Sequence, residues 1–300
     1  MSGSKSGKKG AVGIVGLGIM GGAFARNLAA AGWQVKGFDA DPVRASELAL
    51  AGVEIASSAG AVAQSAPTVI TSLPTPKALE QVAGEIAAVK GKKLVVVEMS
   101  TFALADKEKA EKVLAGAGHV LLDCPVSGTG AQAKLKDLVV YASGDRASIA
   151  ALRPMFSDFS RQTHDLGAFG NGSRMKYLAN LLVSIHNVAA AEAMVLGMKA
   201  GLNAQKIFDV ISTSAGTSRM FEVRGPMMVA GEYDEATMRI SMWQKDLAII
   251  GAFAKSLGVP TPTFDATLPV YAEALAAGYG PQDTGAVCAV LEQKAGVKRD

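Results

Sequence analysis

The sequence predicts an α/β fold, a doubly wound parallel sheet, followed by a second domain that is entirely α-helical. From residue 11 to about 166, short runs rich in Val, Ile and Leu alternate with helix-length, Ala-rich stretches. This alternation is typical of parallel strands covered by helices on both faces. Beyond the segment GAFGNG the strand-like runs stop, and a long stretch without proline begins. A length of 300 residues accommodates two such domains.

The predicted strands of the first domain are short apolar runs bounded by polar or glycine-containing segments. They are Ala11–Val15, Gln34–Asp39, Thr68–Ser72, Leu94–Glu98, Val120–Asp123 and Leu138–Ala142, with a last strand-like patch at Arg161–Leu166. The second domain opens with one long predicted helix, Ser173–Met198, which contains a single late glycine. Further helices are predicted over Ala204–Thr213, Met242–Leu257 and Pro262–Ala277.

The charge balance of the chain excludes several classes of function. Basic residues exceed acidic ones by 30 to 27, and Lys5, Lys8 and Lys9 in the first ten residues account for that excess. We therefore treat residues 1–10 as a flexible leader and expect no nucleic-acid partner. Because no 18 consecutive residues are all apolar, we expect no membrane span and a cytoplasmic protein. The two cysteines and three histidines lack metal-ligand spacing, so no metal site is predicted.

A glycine-rich segment, GIVGLGIMGG at residues 13–22, follows the first predicted strand and leads into a predicted helix over Met20–Ala31. It fits the pattern G-x-G-x-x-G, in which glycines permit a tight turn, a close approach of pyrophosphate and close helix packing. Phosphate then binds the free N–H groups of the helix N-terminus. The motif predicts a Rossmann-type dinucleotide-binding domain over residues 11–168, leaving residues 169–300 for the helical domain; an ordinary glycine turn is the alternative. The predicted cofactor-binding residues here are Gly16, Gly18, Ile19, Met20 and Gly21.

Asp39 ends the second predicted strand, 18 residues after Gly21. An acidic residue at about this offset binds the ribose hydroxyls of NAD, and its charge repels the 2′-phosphate of NADP. No Arg or Lys follows until Arg44, so the sequence favours NAD. The alternative for Asp39 is a turn or helix-capping role before Pro42.

Two more strand ends should border the cofactor, because ligands of open α/β sheets lie beyond the carboxyl ends of the strands. They are the segments SLPTP at residues 72–76 and EMSTF at residues 98–102. Leu73 and Pro74 are predicted to line the dinucleotide groove, and the Thr101 hydroxyl to contact the nicotinamide or its ribose. A helix cap or a plain loop is about equally compatible with these segments.

Four segments together resemble the β-hydroxyacid dehydrogenase family, which includes 3-hydroxyisobutyrate dehydrogenase and tartronate semialdehyde reductase. They are GIVGLGIMG at the N-terminus, DCPVSGTGAQA at 123–133, GNGSRMKYLANLL at 170–182 and WQKDLAI at 243–249. The resemblance implies a Rossmann domain, a long interdomain helix, an all-α domain and an active site in the cleft between the domains.

The same resemblance implies roles for individual residues. Lys176 matches the family's catalytic lysine, the general acid/base that exchanges a proton with the substrate oxygen as hydride passes to or from nicotinamide. Asn180, one helical turn further, is expected to orient that lysine and bind substrate. The loop residues Ser127, Gly128 and Thr129 match the binding site for the substrate carboxylate, and Lys245 a lysine near the nicotinamide. From local sequence alone, the alternatives are a solvated helix lysine, a plain turn and a surface ion pair.

The substrate prediction depends on departures from the family pattern and on a second resemblance. Thr129 replaces a usual glycine, Ala179 a usual asparagine and Leu104 a usual proline. The segments IHNVAAAEAMVLG at 185–197 and VISTSAGTSRMFEVRGP at 210–226 resemble the L-threonate dehydrogenase branch of the family. We therefore expect a small hydroxy acid, either a four-carbon sugar acid such as threonate or 3-hydroxyisobutyrate. The alternatives are a tartronate semialdehyde reductase, an imine reductase and a non-catalytic dinucleotide-binding module. Ala-rich helix faces predict a homodimer or homotetramer.

Overall fold

A computed structural model describes the fold of residues 9–299. Most of the predicted leader lies outside the described residues; Lys9 is described and forms an ion pair of 2.7 Å with Asp158. The chain divides into two compact units, the first ending at Lys176 and the second beginning at Tyr177. Each unit has its own apolar core.

A parallel six-stranded sheet forms the centre of the first unit, in the order β3-β2-β1-β4-β5-β6. The strands are β1 (Ala11–Val15), β2 (Gln34–Phe38), β3 (Glu54–Ile55), β4 (Thr68–Thr71), β5 (Val95–Glu98) and β6 (Val120–Asp123). Strand β1 pairs in parallel with β2 on one side and with β4 on the other. The chain therefore adds β2 and β3 on one side of β1 and then reverses to add β4, β5 and β6 on the other side. The predicted doubly wound fold is confirmed, and this reversal marks the edge at which such sheets bind ligands. The two-residue strand β3 was not predicted.

Helices of the first unit connect successive strands. They are α1 (Ile19–Ala30), α2 (Pro42–Ala49), α3 (Ala59–Ser65), α4 (Pro76–Ala87), α5 (Leu104–Gly116), α6 (Gly130–Lys134) and α7 (Arg146–Ser157). Val12 and Ile14 of β1 and Phe24 and Leu28 of α1 are fully buried in one apolar cluster. A second cluster contains Val69 and residues of α3, α4 and α5. The sheet is therefore packed on both faces, as its continuous apolar strands require.

A small second sheet differs from the sequence prediction. The predicted strands Leu138–Ala142 and Arg161–Leu166 appear as β8 (Val139–Ala142) and β9 (Gln162–Asp165), but they pair with each other and not with the large sheet. The unpredicted two-residue strand β7 (Val126–Ser127) joins them in antiparallel pairing. Pro125, just before β7, has no N–H to extend the ladder of β6, which favours the change of sheet at this point.

The second unit is all-helical, as predicted. Its elements are the rest of α8 (Asn171–Lys199), α9 (Ala204–Ile211), α10 (Arg219–Ala230), α11 (Ile240–Ser256), α12 (Pro262–Ala274) and α13 (Val287–Ala295), with a π-turn at Leu275–Tyr279 and a 3₁₀ turn at Thr284–Ala286. Helices α10 and α13 were not predicted from the sequence. Within α10, Gly225 and Pro226 interrupt the pattern that indicates a helix, yet the helix continues through them.

Within the described residues, α8 alone meets the length and composition criteria of a membrane-spanning helix. An 18-residue window of α8 has a mean hydropathy of 1.6 and is 39% buried. The prediction of no membrane span is based on uninterrupted apolar runs, whereas α8 meets the criteria as an average over a window that includes scattered polar residues. Tyr177, Val188 and Met194 of this helix lie in the core of the second unit, and core helices meet the same criteria.

Candidate active site

The glycine-rich loop lies where β1 meets α1. Gly16 has a φ of +90°, and a Cβ there would lie 2.1 Å from the Ser72 carbonyl oxygen. A Cβ on Gly21 would lie 1.8 Å from the Gly16 carbonyl oxygen, so α1 packs directly on the turn. Gly18 caps α1 without a side chain. The first-turn N–H groups of Ile19 and Met20 are thus available to an anion, as the motif predicts.

Asp39 lies at the end of β2, beside the glycine-rich loop. Its Oδ2 accepts a hydrogen bond of 2.6 Å from the Leu17 N–H, and its Oδ1 accepts one of 2.8 Å from the Asp41 N–H. The carboxylate therefore ties the loop after β1 to the loop after β2. Asp41, not Asp39, caps α2 through the Val43 N–H. The helix-capping role that was the alternative for Asp39 is therefore performed by Asp41.

The loops after β4 and β5 are joined by a hydrogen bond. The Ser100 hydroxyl accepts the Leu73 N–H at 2.8 Å. Leu73 also lies near the glycine turn, since its Cδ2 is 3.4 Å from a Cβ built on Gly16. Pro74 is exposed and Thr101 is half-buried. Four strand ends, those of β1, β2, β4 and β5, therefore meet at one edge of the sheet.

The predicted carboxylate loop lies between β7 and α6. Gly128 is exposed, and Ser127 and Thr129 are half-buried. Gly130, next in the chain, packs on α1, because a Cβ there would lie 2.4 Å from the Ile19 Cγ2. Thr129 caps α6 in a capping box, in which its N–H donates to the Gln132 Oε1 at 3.0 Å. Thr129 thus has a structural role, a helix cap, that the sequence analysis did not foresee.

Lys176 is half-buried on α8, three residues after Ser173, which belongs to a tightly anchored first turn. The Asp123 carboxylate accepts the Ser173 N–H at 2.7 Å and the Ser173 hydroxyl at 2.8 Å. The Gly172 N–H donates to the Ser143 hydroxyl at 2.9 Å. A Cβ on Gly172 would lie 2.6 Å from the Asp123 carbonyl oxygen, so only glycine fits. The start of the lysine-bearing helix is therefore held directly against the end of β6.

The remaining predicted residues belong to the second unit. Asn180 is buried on α8, and Lys245 is exposed on α11. Within the segment at 210–226 that resembles the L-threonate dehydrogenase branch, Ser218 caps α10 through the Phe221 N–H. Phe221 is buried and stacks on Phe208 with ring centroids 5.7 Å apart, so it belongs to the core.

A buried charge cluster beneath the first-unit loops was missed. Glu98 and Asp123 end β5 and β6 opposite each other. The Lys107 ammonium on α5 lies 2.7 Å from the Glu98 Oε2 and 2.8 Å from the Asp123 Oδ1, and all three side chains are 0% exposed. Burial alone would lower the pKa of Lys107, but the two carboxylates outweigh burial and raise it, so the ammonium stays charged. The signal was available, because Lys107 shares the inward face of α5 with Ala110 and Leu114.

These features fit a dinucleotide. Gly16 and Gly21 let the turn and α1 pack closely where any side chain would collide with the backbone, and the start of α1 offers N–H donors to a pyrophosphate. Asp39 stands at the position from which a carboxylate reaches adenosine ribose hydroxyls. A bound nicotinamide dinucleotide supplies the hydride acceptor or donor.

Comparison with known families bears out the two halves of this description. The profile described as the NAD binding domain of 6-phosphogluconate dehydrogenase matches residues 11–167. The profile described as NAD-binding of NADP-dependent 3-hydroxyisobutyrate dehydrogenase matches residues 170–291. L-threonate dehydrogenase from Haemophilus influenzae is 32% identical over 285 residues, which cover 93% of this chain and 94% of that one. The chain belongs to the β-hydroxyacid dehydrogenase family.

Solved structures of β-hydroxyacid dehydrogenases agree with this assignment. A 3-hydroxyisobutyrate dehydrogenase from Salmonella typhimurium is 32% identical with a TM-score of 0.84, covering 94% of this chain and 100% of that one. The 3-hydroxyisobutyrate dehydrogenase from Mycobacterium tuberculosis, solved with L-serine, is 28% identical with a TM-score of 0.86, covering 94% and 98%. The protein is an NAD(P)-dependent oxidoreductase acting on CH–OH groups, as the sequence predicted.

Proposed function

We propose that the protein is an NAD-dependent dehydrogenase of a small hydroxy acid, with L-threonate as its first candidate substrate. The observation that carries the substrate class is its 32% identity, over nearly the whole chain, to an L-threonate dehydrogenase. The second candidate is 3-hydroxyisobutyrate, which the Salmonella typhimurium structure at the same identity supports.

The proposed chemistry assigns the proton to Lys176. As hydride leaves the substrate carbon for nicotinamide, a neutral Lys176 amine takes the hydroxyl proton; in reduction, the ammonium returns it to the carbonyl oxygen. Asn180 lies four residues further along α8, about 40° around the helix, so its amide faces the same side as the lysine. We propose that the loop of Ser127, Gly128 and Thr129 holds the substrate carboxylate. The donors are mainly the Ser127 hydroxyl and the Gly128 N–H, because the Thr129 N–H and hydroxyl are engaged with Gln132.

The proposed preference for NAD over NADP is based on Asp39. Its carboxylate is fixed by two backbone N–H groups and lies beside the loop where the adenosine ribose is expected. A 2′-phosphate would add negative charge next to it. One cation, Arg44, lies within the same region: its Nη1 is 3.3 Å from a Cβ built on Gly18, and its Nε is 3.4 Å from the Asp41 Oδ2. Asp41 offsets the charge of Arg44, which supports NAD.

A panel of hydroxy acids tests this proposal. L-threonate, D-erythronate, 3-hydroxyisobutyrate and glycerate are each supplied with NAD or NADP, and reduced nicotinamide is followed by absorbance. We expect the highest kcat/KM with L-threonate and NAD. Reduction of tartronate semialdehyde with NADH is measured in parallel. Higher kcat/KM on that substrate would replace the proposal with a reductase, and NADH binding without any turnover would indicate a non-catalytic module.

We also propose a cytoplasmic homodimer or homotetramer, on the basis of composition and Ala-rich helix faces. Cell fractionation tests the location. Light scattering of the purified protein tests the oligomeric state, and a monomeric mass would refute it.

A further inference from the structure

The buried cluster of Lys107, Glu98 and Asp123 links two parts of the candidate site. One ammonium lies between two carboxylates, and no part of the three side chains reaches solvent. A lysine is seldom fully buried unless it is paired, and burying it is costly. The neighbouring charged residues of α5, among them Glu108, Lys109 and Lys112, are exposed. Lys107 is therefore buried because of its two carboxylate partners, and not because α5 buries its charged residues in general.

On one side of the cluster, hydrogen bonds connect Glu98 to the loops after β4 and β5, the proposed cofactor loops. We call these connections the Glu98 branch. The Glu98 Oε1 accepts the Ser100 N–H at 2.9 Å, while its Oε2 contacts Lys107. The Ser100 hydroxyl in turn accepts the Leu73 N–H. Glu98 thus fixes the start of the loop that contains Thr101, and through Ser100 it fixes the loop after β4.

On the other side of the cluster, hydrogen bonds connect Asp123 to the first turn of α8, the helix that carries Lys176. We call these connections the Asp123 branch. Both Asp123 oxygens accept hydrogen bonds from Ser173, one from its N–H and one from its hydroxyl. An anion is favoured at this position, because the helix N-terminus carries partial positive charge. Ser173 precedes Lys176 by three residues, less than one helical turn. Any movement of Asp123 is therefore passed to the first turn of α8.

From this connectivity we infer that Lys107 is a positioning residue, which holds the cofactor loops and the first turn of α8 in register with each other. Without its ammonium, Glu98 and Asp123 would face each other as like charges on adjacent strands and would move apart. The two branches would then separate, and Lys176 would move relative to the loops after β4 and β5. The inference depends on the proposed role of Lys176, and Lys107 itself touches neither substrate nor cofactor.

The test compares Lys107→Met with Leu114→Ala. Leu114 is also buried on α5, but it packs in the apolar core, so its variant controls for lost stability. At a temperature where circular dichroism shows both variants folded, we expect Lys107→Met to lower kcat by on the order of tenfold or more, because small misplacements of reacting groups slow catalysis strongly. Leu114→Ala should keep kcat within about twofold at a comparable loss of thermal stability. Equal losses of kcat in the two variants would overturn the inference.

Amide hydrogen exchange gives a readout that does not depend on turnover. The Leu73, Ser100, Gly172 and Ser173 N–H groups donate into this network or its serine neighbours. We expect faster exchange at these amides in Lys107→Met than in Leu114→Ala. Unchanged exchange at all of them would overturn the inference. Should the wild type oxidise no hydroxy acid, the proposed function fails, and the exchange result still decides whether Lys107 orders both branches.

Lys107→Met with Glu98→Gln covers the case in which the single variant does not fold. The double variant keeps one buried carboxylate, which restores the net charge of the wild-type cluster and retains an acceptor for Ser100. We expect it to fold and still to show the lowered kcat and faster exchange at Gly172 and Ser173, because the ionic link between the branches is gone. Wild-type kcat and exchange in the double variant would mean that Lys107 only balances charge.

Discussion

The two units each bury an ion pair, and the two pairs connect different kinds of structure. In the first unit, one lysine joins two carboxylates at the ends of adjacent strands. In the second, Arg224 pairs with one carboxylate among residues 9–299, that of Asp283, at 3.0 Å, with exposures of 3% and 0%. Asp283 accepts the Thr237, Met238 and Gly285 N–H groups, so this pair fastens loops to α10.

The difference suggests what each buried charge is for. The Arg224 pair is neutral, and every partner named for Asp283 is backbone or side chain of the second-unit scaffold. The Lys107 cluster retains a net negative charge directed at the start of α8. We expect disruption of the second pair to lower stability, and disruption of the first to lower turnover.

Lys176→Ala removes the proposed general acid/base and should cause the largest loss of kcat among the first-unit variants. We expect kcat to fall by about 10²–10⁴, the usual contribution of a general acid/base, while NADH affinity stays within about threefold. Steady-state kinetics and NADH fluorescence titration measure the two quantities. Lys199→Ala, on the same helix, serves as a control. Parallel losses of cofactor affinity and turnover would contradict the assigned role.

Arg224→Met breaks the second-unit pair and should lower stability by about 3–5 kcal/mol, because Asp283 is left buried without its cation. Urea denaturation measures the change, and kcat below the transition should stay within about twofold. The effect depends on pH. Burial alone would raise the pKa of Asp283, but Arg224 and the hydrogen-bond donors hold it below its ordinary value of 3.8.

The sign of the pH effect follows from that lowered pKa. Stability from the ionised Asp283 is fully present above pH 3.8 and is lost as pH falls through the lower folded-state pKa. The difference between wild type and Arg224→Met should therefore be largest near neutral pH and shrink in acid. A difference that grows in acid would contradict the assigned charge state.

Asp39→Ala tests the first unit away from the Lys107 cluster. We expect the ratio of kcat/KM for NAD to that for NADP to fall by about tenfold, because the charge that disfavours a 2′-phosphate is lost. Kinetics with both cofactors measure the ratio. Asp145→Ala is the control, since it removes a first-unit carboxylate that caps another helix, α7, through the Ser148 N–H. An unchanged ratio for Asp39→Ala would refute its role in cofactor choice.

Thr129→Ala should have the smallest effect. Its side chain caps α6, so its removal should cost about 1 kcal/mol, visible as a small shift of the thermal midpoint. We expect the KM for the hydroxy acid to change by less than about threefold. A rise of KM beyond about tenfold would show that the hydroxyl binds substrate and does not serve mainly as a cap.

Local features of the sequence predicted most of the sheet and its glycine-rich loop. The strand–glycine–helix sequence around Gly16 and the acidic end of β2 lie within one βαβ unit, so their arrangement follows from short-range geometry. The catalytic role of Lys176 was predicted only from the family resemblance, since a lysine on a helix is usually solvated.

The other features of the fold and of the candidate site depend on contacts between residues that are distant in sequence. The Asp123 carboxylate meets Ser173, 50 residues later, and Lys107, 16 residues earlier, so no local pattern contains the cluster. The small sheet of β7, β8 and β9 likewise depends on which strands pair after Pro125. In α10, the packing of Phe221 and Met228 outweighs the unfavourable helix propensity of Gly225 and Pro226.

The hydrogen bond from the Leu17 N–H to Asp39 has a consequence for cofactor engineering. The side chain proposed to select the ribose also accepts a hydrogen bond from the turn proposed to bind the pyrophosphate, so recognition of the ribose and of the pyrophosphate would be interdependent. A redesign toward the phosphorylated coenzyme that simply swaps in a neutral or basic residue would remove the acceptor of that N–H and loosen the turn for either coenzyme. Such a redesign must supply a new acceptor for Leu17 together with the new cation.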